Sequence, residues 1–151
     1  MDLQVQSIHN LQFHYASFMR AIINQNLLDA VEDIMDSPNI ILHHTKAHLK
    51  PPSQGAPFPF HQDFHYFPYE KDSMVAVFIH LDDTTPENGG LAVFPGSQKL
   101  GPLKDFSDQP GFHYVDQDQY KMPDATPVHA KKGDVVIFSY LLVHGSYINQ
   151  Y

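Results

Sequence analysis

Apolar residues between positions 11 and 35 fall mostly three and four apart, at Tyr15, Phe18, Met19, Ile22, Ile23, Leu27, Val31 and Ile34. That repeat is one face of a helix, and it predicts a single helix over residues 11–35. Asp36-Ser37-Pro38-Asn39 should end it, because proline cannot continue the hydrogen-bond ladder and its predecessor avoids helical angles. Beyond this point the pattern shortens. Residues 40–50 are β-branched and rich in imidazole, and 51–57 form a loop by their proline and glycine content. Residues 60–67 read as a strand, and the strongly apolar 74–81 as a buried strand. Pro86-Glu87-Asn88-Gly89-Gly90 supplies the positive-φ residues of a tight turn, and 91–94 is a strand stopped by Pro95-Gly96. The polar stretch 97–127 reads as a long excursion. Lys131-Lys132-Gly133-Asp134 is a turn into a last strand over 135–148. A helical prefix over 1–38 and many short strands over 39–151 predict one mainly β domain, a sandwich or jelly roll.

Composition narrows the function. The chain of 151 residues carries a net charge of -8, which argues against a nonspecific grip on nucleic acid or on an anionic membrane. There is no cysteine, so disulfides, thiolate metal sites and a cysteine nucleophile are excluded. No apolar run approaches the roughly 20 residues that span a bilayer. Residues 1–10 lack the basic and apolar blocks of a secretory signal, so an intracellular place is expected, cytoplasmic or peroxisomal. Two features stand out: 11 histidines, and a single arginine, Arg20, among 9 basic residues.

The sharpest local feature is His61-Gln62-Asp63. On a strand, residues i and i+2 share a face, so an imidazole and a carboxylate would converge. In the stretch Val136, Phe138, Tyr140, Leu142, His144, Ser146, alternate residues also share a face. That face is mostly apolar, and a histidine on it needs a partner. Two histidines and one carboxylate make the facial triad of non-haem Fe(II) oxygenases. From spacing alone, His61 could equally bond Asp63, and His144 could be a satisfied core histidine. The same ligands also suit zinc, although Glu32, Glu70 and Glu87 are isolated and none sits at a general-base spacing.

The surrounding segments add a resemblance. Residues 57–68, PFPFHQDFHYFP, resemble the iron-binding strand of the phytanoyl-CoA dioxygenase family. In order, the stretch from Leu81 to Leu91 looks like its next hairpin, Phe94-Pro95-Gly96-Ser97-Gln98-Lys99 like its PGSH(K/R) turn, and Lys132-Gly133-Asp134 through His144-Gly145-Ser146 like its KGD…HGS stretch. His43-His44-Thr45-Lys46 and Lys50-Pro51-Pro52 are also typical of it. The resemblance covers about residues 40–149 and implies a double-stranded β-helix (jelly roll, cupin-like) with an N-terminal helical segment. It implies Fe(II) held by His61, Asp63 and His144, 2-oxoglutarate as cosubstrate, and O2. By position, Ser146 matches a residue that contacts 2-oxoglutarate, while Lys46 and Phe78 line the same pocket. The implied reaction hydroxylates a small organic or acyl-CoA substrate while 2-oxoglutarate is decarboxylated to succinate and CO2. Asp63 favours hydroxylation, since halogenating relatives carry a small residue there.

One part of the pattern has no match. The family anchors the 5-carboxylate of 2-oxoglutarate with an arginine roughly ten residues past the distal histidine, and none follows His144 here. The expectation is therefore a domain truncated at its C-terminus. The alternatives are a short natural form in which a lysine such as Lys46 substitutes, or a non-catalytic cupin-like metal-binding module that has lost 2-oxoglutarate. Asn88 is expected to serve its turn, and His9, His14, His80, His113 and His129 to be structural or solvated.

Overall fold

The computed structural model describes residues 7–53, 55–69, 71 and 73–151. The chain divides into two compact units, residues 1–49 and 50–151.

In the first unit the helix expected over 11–35 is three pieces. A 3-10 turn covers Leu11–Phe13, α1 covers Ala16–Ile22 and α2 covers Gln25–Met35. The break falls at Asn24, which is extended (φ -62, ψ 127); its backbone carbonyl accepts from the amides of Leu27 and Leu28, and its side chain makes no cap bond. α2 ends at Asp36, in the left-handed region at φ 49, two residues before Pro38. Strands β1 (Ser7–His9) and β2 (Lys46–His48) close this unit as an antiparallel pair, with His9 opposite Lys46. β2 is shorter than the imidazole-rich pattern suggested, and the residues preceding it, 40–45, are irregular. Thr45 fastens that run to the 3-10 turn, accepting from the amide of Leu11 and donating to Gln12.

The second unit holds the sheets. β3 (Phe58–His61), β8 (His144–Ser146), β5 (Leu91–Val93) and β6 (Thr126–Pro127) form one antiparallel sheet in that order. β4 (Val75–Ile79) and β7 (Val135–Ser139) form a second. Alternation in β5 divides the core. Ala92 packs on one side with Phe60, Val115, Tyr120 and Val143, while Leu91 and Val93 pack on the other with Phe138 and Leu142. Ala76, Phe78 and Val136 of the second sheet pack against this latter cluster, so it joins the two sheets.

Three strand expectations change. The strand over 60–67 runs from Phe58 to His61 and gives way to a 3-10 turn at Asp63–His65. Residues 135–148 are two strands in different sheets, parted by a turn in which the amide of Leu142 donates to Ser139. The apolar 74–81 is half-buried along all of β4, because its sheet has only two strands. The excursion over 97–127 is not a loose loop. Val115 and Tyr120 enter the core, and Gln117 clasps the backbone of Phe60 from both sides, accepting from its amide and donating to its carbonyl.

Candidate metal centre

β3 and β8 pair so that His61 lies opposite His144, and Phe58 opposite Ser146. Two residues lie between these positions on β3 and one on β8, so β3 carries a bulge around Pro59. Bulges sit where a strand must re-aim a side chain, and proline tolerates them because it offers no amide hydrogen. Across β8 the neighbours are Leu91 opposite Ser146 and Val93 opposite His144. Residues directly opposite share a face, so His144 and Ser146 both belong to the side that joins the two sheets. Gly145 between them is required by packing, since a Cβ there would stand 2.8 Å from the carbonyl oxygen of Phe58.

Asp63 does not share the strand with His61, as sequence spacing suggested. It opens the 3-10 turn, yet Gln62 between them is extended (φ -114, ψ 139), and this brings the carboxylate back to the imidazole. The Asp63 carboxylate oxygen Oδ1 lies 3.8 Å from Nε2 of His61 and 3.8 Å from Nε2 of His144. One ligand atom from each of the three residues falls within 4.8 Å of the others. These separations are too long for hydrogen bonds and suit an arrangement in which one ion bridges all three.

Each imidazole is oriented by its own strand. His61 Nδ1 donates to the carbonyl of Pro59 at 2.8 Å, and His144 Nδ1 donates to the carbonyl of Leu142 at 2.9 Å. A carbonyl only accepts, so each ring carries its proton on Nδ1 and presents the lone pair of Nε2. Such bonds fix tautomer and ring direction in metal-ligating histidines. The phenyl ring of Phe138 lies 4.8 Å from that of His144. His144 is buried and the other two ligands are partly exposed, so the site is walled on the β8 side and open beside Asp63. Two imidazoles and one carboxylate fit Fe(II), with coordination positions left for small molecules.

The remaining candidates separate. Ser146 is buried two residues from His144, and its hydroxyl accepts from the amide of Phe58 and from Lys50 Nζ. Phe78 stacks on Phe138 at 5.4 Å and so stands one ring away from His144. Lys46 lies on β2 in the first unit, exposed and opposite His9. Asn88 holds its turn, accepting from the amide of Thr85 and donating to Asp83.

Sequence reasoning passed over three groups. Gln62, the middle residue of the motif, is fully buried, and its amide donates to Leu141 and Gly101 and accepts from Leu103. A polar residue between two ligands on an alternating strand must point the other way, and that was a usable signal. His113 is bound to Asp105 at 2.6 Å and packs edge-on against Tyr66 at 4.6 Å, which in turn reaches the His61 ring. Burial alone would lift the Asp105 pKa, but hydrogen bonds from His113 and the amides of Ser107 and Tyr114 outweigh it and hold the carboxyl low. His65 stacks on His113, and desolvation lowers its pKa. Lys50 was quoted only as part of a motif. It is half-buried, and desolvation brings its pKa down to about 8.

With this geometry in hand, the comparisons with known proteins are direct. The family model described as Phytanoyl-CoA dioxygenase (PhyH) matches residues 4–150. The peroxisomal phytanoyl-CoA dioxygenase of Bos taurus is 38% identical over 120 residues, covering 72% of this chain and 35% of that protein. A probable alpha-ketoglutarate-dependent hypophosphite dioxygenase of Stutzerimonas stutzeri is 32% identical over 95 residues, covering 63% of this chain and 32% of its own. The crystal structure of EctD from S. alaskensis with 2-oxoglutarate and 5-hydroxyectoine superposes with a TM-score of 0.78 at 22% identity, over 96% of this chain and 51% of that one. That likeness establishes the fold as mainly β, a double-stranded β-helix. The chain spans about a third of the length of these two curated relatives.

Proposed function

The chain belongs to the phytanoyl-CoA dioxygenase family, and from that premise we propose that it contributes the metal centre of an Fe(II)- and 2-oxoglutarate-dependent oxygenase acting on a small organic or acyl-CoA substrate. The observation that carries the reading is the trio of His61, Asp63 and His144, with both imidazoles tied through Nδ1 so that their Nε2 atoms face one carboxylate oxygen. Iron bound there would supply the oxidation itself, one oxygen atom of O2 going to the substrate as a hydroxyl and the other to 2-oxoglutarate, which leaves as succinate and CO2. The protein's own residues do the rest. His61 and His144 hold their lone pairs in place without rearrangement. Asp63 balances part of the metal's charge. Phe138 and the apolar residues that join the two sheets exclude water from the buried side. Ser146, on the same face as His144, offers a hydroxyl to the cosubstrate.

The test is an anaerobic titration of the chain with Fe(II), followed by 2-oxoglutarate, read by the iron-to-ketoacid charge-transfer absorption, and then succinate formation on admitting O2. Binding of both, with succinate formed, is the expected outcome. A chain that takes up no Fe(II) contradicts the reading. A second reading, a metal-binding module without turnover, draws on the single arginine, Arg20, which lies in α1. It predicts Fe(II) uptake with no change in absorption when 2-oxoglutarate is added. The acyl-CoA and small-substrate options divide on whether an acyl-CoA raises succinate output above the substrate-free rate.

A further inference from the structure

Of the 11 histidines, His9, His14, His43, His44 and His48 fall within residues 1–49 and take no part in the metal centre described above. Three of them converge. Nδ1 of His43 lies 3.0 Å from Nδ1 of His44, with the ring planes near perpendicular at 79°. The His9 ring is inclined by 15° to that of His44, with the centroids 6.4 Å apart. All three residues are exposed.

The backbone sets this meeting up. Adjacent residues on a strand point to opposite faces, so a His-His pair on a regular strand would not meet. Residues 40–45 are irregular, which lets both rings turn to one point. Thr45 fixes where that point falls. Its carbonyl accepts from the amide of Asn10 at 2.8 Å, and its hydroxyl accepts from the amide of Leu11 and donates to Gln12. These bonds carry on from the β1–β2 pairing, in which His9 lies opposite Lys46, and set His44 beside His9. The backbone of His9 is anchored in turn, its carbonyl accepting from His14 Nε2 at 3.2 Å. Its own Nε2 stands 3.4 Å from the Ser7 hydroxyl, a long contact that gives way to a metal bond.

A separation of 3.0 Å between two imidazole nitrogens has two readings. In one, a single N–H···N hydrogen bond joins rings of opposite tautomer. In the other, both nitrogens turn lone pairs to one ion. Metal–imidazole bonds of about 2.1 Å meeting at a right angle place the nitrogens about 3.0 Å apart, whereas a tetrahedral ion sets them about 3.4 Å apart. Right angles belong to square-planar and tetragonal ions. A donor set of nitrogen alone selects the same class, Ni(II) and Cu(II), over Mg(II), Ca(II) or Mn(II). Fe(II) stands below Ni(II) in the order of divalent affinities, so this set holds it more weakly.

We propose that His43 and His44 chelate a square-planar or tetragonal divalent ion, Ni(II) or Cu(II), through their Nδ1 atoms, with His9 turning in as the third imidazole. Lys46 shares the His9 face, and its exposed ammonium stays in solvent. The proposal is independent of the oxygenase reading, since it uses none of His61, Asp63 and His144 and draws every ligand from one compact unit.

The experiment is equilibrium dialysis of the full chain against Ni(II), with bound metal counted per chain. Imidazoles and a carboxylate also hold Ni(II), so the trio is disabled in one arm by His144→Ala. Wild type should take up two equivalents and His144→Ala one. Adding His44→Ala to His144→Ala should weaken that remaining equivalent more than about tenfold, and His43→Ala, which removes the other half of the pair, is read by the same criterion. His129→Ala removes an exposed imidazole of the second unit and should match wild type. If His144→Ala binds no Ni(II), or if adding His44→Ala leaves its uptake unchanged, the chelate does not exist. Equal losses from His44→Ala and His129→Ala reveal scattered single imidazoles and overturn it as well. Wild-type uptake of one equivalent that His144→Ala leaves intact and His44→Ala removes is a failure of the trio, with the chelate standing.

Discussion

His144 and Ser146 are neighbours on one short strand, yet they are held in opposite ways. His144 takes its orientation from a carbonyl two residues back, and His61 does the same on the facing strand. Ser146 takes its surroundings from far along the chain: the amide of Phe58, 88 positions away, and the ammonium of Lys50, 96 positions away. The metal end is built from local geometry and exists wherever the two strands pair. The setting of Ser146 exists only when the turn at Gly89, the start of β3 and Lys50 all arrive together. The surroundings of Ser146 are therefore what tertiary perturbation should disturb first, and the pairing of His61 with His144 what it should disturb last.

The largest expected effect breaks the metal end directly. Asp63→Ala removes the only carboxylate of the trio and should lower succinate formation more than about 100-fold, since even residues behind metal ligands cost 10–100-fold. Gln62→Leu attacks the local end from behind. It strands the carbonyls of Leu141 and Gly101 and the amide of Leu103, and should cost about 2–4 kcal/mol in a denaturant titration. A pH series sharpens the contrast. Burial brings the Lys50 pKa down to about 8, below its value in the unfolded chain. Stability in a denaturant titration should thus rise as pH climbs from about 8 towards the unfolded value, because the folded chain sheds this proton first. The groups around the ammonium are neutral, so no neighbouring titration cancels the effect. The smallest effect is at Asp105→Asn, which loosens His113 at a partly exposed pair. It should shift stability by less than about 1 kcal/mol and leave Fe(II) affinity unchanged.

Much of the second unit was legible because its signals are short-range. Gly89, Gly96 and Gly133 each take the positive φ that their turns need, and β5 alternates as its residues suggest. The three proposed ligands were found from H-x-D spacing, an apolar face and ordered motifs, although the geometric reason given for Asp63 was wrong. It meets His61 through the extended Gln62 and the first residue of a 3-10 turn. The breaks at Asn24 and at Tyr140–Leu141 were missed for one reason. Apolar periodicity continues through both, and only one extended residue in the first case and a change of sheet in the other interrupt the backbone. Gln117, His113 and Lys50 were invisible because their partners lie 57, 8 and 96 residues away and no local pattern marks them.

The central claim, that His61, Asp63 and His144 hold one ion together, is tested most directly by anaerobic Fe(II) titration calorimetry on wild type and His144→Ala. The account predicts saturation at one equivalent in wild type, and affinity reduced more than about 100-fold when the buried imidazole is gone. Undiminished binding of one equivalent by His144→Ala would place the ion elsewhere and contradict the account.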